Sequence, residues 1–303
     1  MRVGISVRSV YGVGDVRSGA RFMVERAAAA REAGLDSLFV GDHHNVPVPY
    51  YQNSPILGRL LAEWDERPAG ALYLLPLWHP LIVAEHVATL SAVAGGPFVL
   101  QCAIGAGTEQ FAALGTSERD RATRFEESLS IVRRLLAGEE VDATDPWSIQ
   151  SARIAPLPPG RLSIWIGGHA PRAIDRAARL GDAWLAGPDL VPEAADRLLG
   201  TYRQRCDVHG RRPSVIAIRR DVHVGADDAD ARSVAGPVLD AGYRGFDPSA
   251  CVVGGVETVA DEFRRFASMG YTDVIVRNIV EEQRSALASI QRLADVRRLV
   301  ADA

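Results

Sequence analysis

The sequence contains no lysine; all 34 of its basic side chains are arginine. Schiff-base and pyridoxal chemistry are therefore excluded, and so is phosphate binding by a Walker-type lysine. Cysteine is scarce. Cys102, Cys206 and Cys251 are scattered without metal-ligand spacing, so no metal site is expected and a reduced, cytoplasmic setting fits. The formal net charge is only −4 and no basic tract stands out, which argues against nucleic acid or an anionic membrane as partner. The longest apolar zone, residues 69–106, is interrupted by Pro76, His79, Pro80, Glu85, His86 and the Gly95-Gly96 pair and cannot span a membrane. Met1 to Val7 reads as a strand and lacks the apolar core of a signal peptide. No Gly-x-Gly-x-x-Gly follows this first strand, which weighs against a doubly wound dinucleotide-binding sheet.

What the sequence does contain is a regular alternation. Its 303 residues exceed the ~250 typical of a (β/α)8 barrel and leave room for insertions. Apolar residues make up 47%, enough for a full-sized core. Apolar, partly β-branched runs predict strands at 3–7, 37–40, 70–75, 98–103, 162–166, 183–186, 214–224 and 273–276. Helical spacing falls between them, as at 19–33, 79–93, 119–137, 171–180, 192–209 and 281–300. Residues 46–68 form a long loop with a helical turn near 56–64. Residues 139–161 have charge, proline and no period, so they read as an insertion after strand four; a second, glycine-rich one follows strand seven. Eight strands separated by helices, without repeats or linkers, predict a single TIM-barrel domain over 1–303; an open doubly wound sheet is the alternative.

In such folds chemistry gathers at the carboxyl ends of the strands. Asp42, His43 and His44 leave strand two at that point, and an imidazole titrates near working pH. The plainer reading is that Asp42 caps the next segment and both histidines are solvated. Beyond strand three, Trp78 either stacks on a planar ligand or lies buried under the 46–68 loop. Beyond strand four, Gly105, Ala106 and Gly107 let a bulky ligand pass close to backbone, and Glu109 offers a carboxyl group; taken alone, a plain turn capped by Thr108 is the favoured explanation. Beyond strand five, Gly167-Gly168-His169 runs straight into a helix, an arrangement that lets backbone N–H groups converge on a phosphate.

Several of these pieces together resemble the luciferase-like superfamily of barrel oxidoreductases, which includes FMN-dependent monooxygenases and enzymes using the deazaflavin coenzyme F420. They are Ala33-Gly34-Leu35-Asp36-Ser37-Leu38-Phe39-Val40-Gly41-Asp42-His43-His44, Leu75-Pro76-Leu77-Trp78-His79-Pro80, Trp165-Ile166-Gly167-Gly168 with Gly181-Asp182-Ala183-Trp184, and Gly254-Gly255-Val256-Glu257-Thr258. The resemblance runs from strand one to strand eight and is specific for the superfamily, not for a reaction. It implies that His43 is the acid or base near the reactive ring edge, with Asp42 next to it as a cofactor-binding residue. It implies a bulge in strand three, often with a non-prolyl cis peptide, near Ala71-Leu72 behind the ring. Gly167 and Gly168, with His169, match the phosphate turn, and Gly105 to Gly107 would line the cofactor tail. A homodimer through faces near strands two and three is also implied.

Members that use FMN often carry an arginine after strand four, where this chain has Gly105-Ala106-Gly107; some F420 enzymes carry a carboxylate there, and Glu109 lies near that place. The expectation is hydride transfer between F420 and a small organic substrate, with an FMN monooxygenase and a non-catalytic flavin-binding protein as alternatives. Tyr50, Tyr51, Trp64 and Trp78 suggest an apolar or aromatic substrate over a sugar phosphate, because a second anion site would need basic residues that the sequence does not visibly gather.

Overall fold

Parallel strands covered by helices are buried on both faces, which is why they read as near-continuous apolar runs. In the computed structural model, which describes residues 1–301, these runs pair in a ring. The strands are β1 (Arg2–Val7), β2 (Leu38–Val40), β3 (Ala69–Leu74), β4 (Phe98–Ala103), β5 (Val141–Ala143), β6 (Ile149–Ala152), β7 (Ser163–Gly167), β8 (Ala183–Ala186), β9 (Val215–Val224), β10 (Val252–Gly254) and β11 (Asp273–Asn278). The ring runs β1-β2-β3-β4-β7-β8-β9-β11 and closes by parallel pairing of β11 on β1. It is a (β/α)8 barrel. The insertion after the fourth barrel strand holds the antiparallel hairpin β5–β6, and the one after the seventh holds β10, which extends β9 outside the ring.

Phe39, Val99, Trp165, Ala183, Ala217 and Ile275 come from six different barrel strands and form one interior cluster. The barrel is thus a packed core and not a pore. A larger apolar cluster lies between the strands and the helices, three of which, Pro80–Val93, Pro171–Leu180 and Pro192–Val208, begin with proline in the first turn. Among the described residues no helix is long and apolar enough to cross a membrane.

Charges at the amino end of the barrel meet partners of opposite sign. Arg2 meets Asp273 at 2.8 Å, Arg297 meets Asp36 at 2.6 Å, and Arg161 meets Asp182 at 3.1 Å. Asp36 and Asp182 also accept from the amides of Val3 and Ile164, at 2.7 and 3.0 Å, tying loops to strand starts. This end is built for closure.

One boundary shift matters for function. The sequence pattern ends the last strand at Val276, because Arg277 and Asn278 break the apolar run. The ladder nevertheless continues, pairing Arg277 with Asp221 and Asn278 with Val222 of β9. Arg277 is therefore a wall residue of the barrel mouth and not a loop residue.

Candidate functional site

Side chains alternate across a strand, so residues two apart share a face. Ala217 belongs to the interior cluster, which places Arg219 and Asp221 on the inner wall of β9; Ile275 does the same for Arg277 on β11. Arg220, between the two, points outward and lies 4.4 Å from the Phe266 ring centroid. At the carboxyl end the wall encloses a cavity of about 300 Å³, lined among others by His43, Tyr50, Leu72, Arg219, Arg244 and Arg277.

Asp221 is fully buried and organises one side of this cavity. Its Oδ1 accepts from Nε and Nη2 of Arg219, at 3.3 and 3.2 Å. Its Oδ2 accepts from Arg244 at 2.6 Å and from the Tyr243 hydroxyl at 2.8 Å. Burial works against the charge, yet Arg219, Arg277 and Arg244 hold the carboxyl down to about 2. The cost is visible on Arg277, which burial and the neighbouring Arg219 push down to about 10.

His43 stands at the edge of the cavity, its ring centroid 6.1 Å from that of Tyr50. The Gln52 side chain donates to its carbonyl at 3.2 Å, fixing the turn. Desolvation by the cavity wall, opposed by the charge of Asp42, keeps the imidazole below its ordinary 6.5. Burial pushes the Tyr50 phenol up to about 12, so it stays a neutral hydroxyl.

The other residues singled out in the sequence divide into three groups. Leu72 lines the cavity with His43; β2 has ended at Val40, so the Leu72 carbonyl is taken by the buried Asn53 amide at 2.7 Å. Ala71, by contrast, is buried in the outer core, and the strand-three register runs unbroken from Ala69 to Leu74. The expected bulge is absent, and the cis peptides among the described residues are Asp145-Pro146 and Ala155-Pro156, not Ala71-Leu72.

The second group lies on the same rim but around the ring from the cavity. Gly105 to Gly107 follow β4, while Gly167 ends β7 and Gly168 follows it. Gly168 has φ +143°, and a Cβ there would sit 2.8 Å from that of Ala173. Trp184 fixes this turn by donating to the Gly168 carbonyl at 2.7 Å. Ala170 and Arg172 at the start of the helix Pro171–Leu180 donate to no backbone partner among the described residues. His169 turns away toward Asp189, 3.9 Å from its carboxylate. Glu109 is exposed and does not line the cavity, while Glu118 binds the Gly107 amide and the Thr108 hydroxyl.

The third group is structural. Asp42 has a fully buried side chain whose Oδ2 accepts from the Leu74 amide and from Trp78 Nε1, both at 2.8 Å. His44 lies against Trp78, ring centroids 5.2 Å apart, with Nε2 3.1 Å from Asp42 Oδ1. Trp78 is thereby committed to the rim scaffold. Tyr51 donates to the Val16 carbonyl and packs edge-on to Tyr11. Trp64 is buried under Arg67 and donates to its carbonyl at 3.0 Å. Since Trp64 closely precedes β3, it belongs at the amino end of the barrel, opposite the cavity. Neither Tyr51 nor Trp64 lines the cavity.

Sequence reasoning missed Arg219, Asp221, Arg244 and Arg277. Three of them had a signal: charged residues on one face of an otherwise apolar, doubly buried strand need a reason to be there. Arg244 had none, because it sits in the insertion and reaches the mouth by its fold. The premise that no second group of basic residues exists is therefore overturned.

Residues 1–250 match the family described as luciferase-like monooxygenase, and the chain belongs to it. An F420-dependent glucose-6-phosphate dehydrogenase of Nakamurella multipartita is 27% identical over 220 residues, covering 68% of this chain and 64% of that protein. The matches span just under two thirds of the first curated relatives. Among solved structures, an F420-dependent secondary alcohol dehydrogenase in complex with an F420–acetone adduct superposes with a TM-score of 0.78 at 17% identity, over 96% of this chain and 97% of that one. The oxygenating constituent of 3,6-diketocamphane monooxygenase from Pseudomonas putida, in complex with FMN, gives 0.79 at 15% identity over 97% of both chains. At these identities the two structures establish the shared fold.

Proposed function

We propose that this chain is an oxidoreductase that moves a hydride between F420 and a small organic substrate. The observation that carries this reading is His43, a titratable ring with a depressed pKa, at the edge of an open cavity on the catalytic rim of a luciferase-like barrel. F420-dependent relatives support it. The turn at Gly167-Gly168 suits the cofactor's phosphate, since free amides and a helix N-terminus face the rim there. Bound F420 supplies a carbon centre that takes or gives the hydride.

The protein's own part is to orient and to handle the proton. Leu72 forms apolar wall, the neutral Tyr50 hydroxyl is available to a substrate oxygen, and a ring nitrogen of His43 takes the substrate hydroxyl proton during oxidation and returns it during reduction. Titration of the apo-protein with F420 and with FMN is expected to show clearly tighter binding of F420. Tight FMN binding with none for F420 would overturn this choice. One observation favours the FMN monooxygenase as second reading: Arg121 reaches back from the following helix to the Gly105 carbonyl, 3.3 Å away, and so puts a guanidinium beside the loop after strand four.

The phosphate turn carries its own prediction. Gly168→Ala places a side chain in a conformation costing ~1–3 kcal/mol and against Ala173. F420 affinity is expected to fall by about tenfold or more. Equal affinity in the variant, measured by fluorescence titration, would place the phosphate elsewhere.

A further inference from the structure

Resting on the oxidoreductase reading above, we infer that the substrate carries an oxyanion, a carboxylate or phosphate, anchored by Arg277, with Arg219 and Arg244 held beside it by Asp221. At the amino end of the barrel Arg2 and Arg297 each have their own carboxylate, while Arg161 and Arg211 share Asp182. At the mouth, Arg219 and Arg244 share the single carboxylate of Asp221, and Arg277 stands beside them without one. Asp42, the other carboxylate at the cavity wall, is engaged with Leu74 and Trp78 on Oδ2 and lies against His44 on Oδ1. The mouth therefore holds more positive charge than its own carboxylates balance.

Such an excess is costly to maintain, because a buried charge loses several kcal/mol of hydration unless something replaces it. If the cluster served only to stabilise Asp221, the Tyr243 hydroxyl and one arginine would fill much of its acceptor capacity, and an apolar replacement of the whole group would be no less stable. Arg277 is the surplus. It stands opposite Asp221 in the ladder, yet its side chain makes no hydrogen bond or ion pair among the described residues, and it lines the cavity.

The backbone points the same way. Arg244 has φ 52°, between Gly242 at 82° and Gly245 at 68°, so a non-glycine residue is held in a left-handed conformation. That conformation is uncommon for a side chain of this size and persists where the surroundings hold it. Here it delivers a third guanidinium from the insertion to the mouth. The anion belongs to the substrate and not to the cofactor, because the phosphate turn follows β7, whereas the arginines come from β9, from β11 and from the insertion between them.

Calorimetric titration with inorganic phosphate and with acetate, at low ionic strength, tests the assignment. Wild-type protein should bind at least one of them saturably, and Arg277→Gln should weaken that binding about tenfold or more. Asp221→Asn should tighten it, since two guanidinium groups lose their internal counter-anion. F420 affinity should be unchanged in Arg277→Gln. Phosphate and acetate binding that is absent in wild type, or equal in Arg277→Gln, would overturn the inference; loss of F420 together with phosphate would assign the arginines to the cofactor and overturn it too. Should Arg277→Gln fail to fold, Arg244→Gln in the insertion replaces it, with a severalfold weakening expected and an unchanged affinity counting against the site. Wild-type protein that binds phosphate through Arg277 but does not bind F420 would support the anion site while refuting the cofactor reading.

Discussion

His43→Ala is expected to slow the chemical step by ~10²–10⁴-fold while leaving the barrel folded and cofactor affinity little changed. The fold should survive because His43 is a rim residue outside both clusters of the barrel core. Cofactor binding should survive because the proposed phosphate turn at Gly167-Gly168 follows a different strand. The pH dependence has a definite sign. The imidazole titrates below 6.5, so it is neutral at pH 7 and competent to accept a proton. Substrate oxidation should therefore rise with pH through an apparent pKa below 6.5 and then level off, and the limb should vanish in the alanine variant. His44→Ala is the control. Its ring packs on Trp78 beside Asp42, so its loss should lower stability more than turnover. The measurement is single-turnover reduction or oxidation of bound cofactor in both variants. An unchanged rate in His43→Ala would move the proton to a substrate-derived group, since Glu109 does not line the cavity.

The barrel was legible because its strands are buried on both faces. Phe98 to Ala103 and Ala183 to Ala186 are apolar runs between helical segments, and their boundaries in the structure are those of the runs. The position of His43 was legible for a related reason, since a polar group just past a barrel strand can only stand at the rim. Less legible was the direction of each neighbouring side chain. Asp42 and His43 are adjacent, yet one is a buried buttress and the other faces the cavity, a difference set by Leu74 and Trp78 some thirty residues on. Trp64 was misplaced because an aromatic residue in a long loop says nothing of the end it occupies, although its closeness to the start of β3 does. The arginine cluster was hidden differently. Arg277 ends an apolar run and so resembles the first residue of a loop, until the pairing of β11 with β9 continues past it.

Asp42 separates the two kinds of role most sharply. The sequence places it beside the cofactor; the structure gives its carboxylate to the Leu74 amide and the Trp78 indole, in a fully buried position. Asp42→Ala removes the acceptor and leaves the buried Leu74 amide and the part-buried Trp78 indole N–H unpaired, at ~1–3 kcal/mol each. Destabilisation on the order of 2–5 kcal/mol is therefore expected, which is large against the few kcal/mol typical of single substitutions. Asp42→Asn keeps the shape and one oxygen, which can hold the Oδ2 position that both donors share, so it should lose less, with its amide group placed toward His44 Nε2. Both effects should appear in urea unfolding as a lower midpoint with an unchanged slope, since neither variant alters the surface exposed on unfolding. Turnover should fall in Asp42→Ala as well, because the turn that carries His43 loses its anchor to β3. The two roles then part in Asp42→Asn, assayed well below its unfolding midpoint. A buttress predicts near-normal F420 affinity in this variant, with a modest loss of turnover. A cofactor ligand predicts the reverse, weakened F420 binding in a protein as stable as wild type, and that result would return Asp42 to the role its place in the sequence suggested.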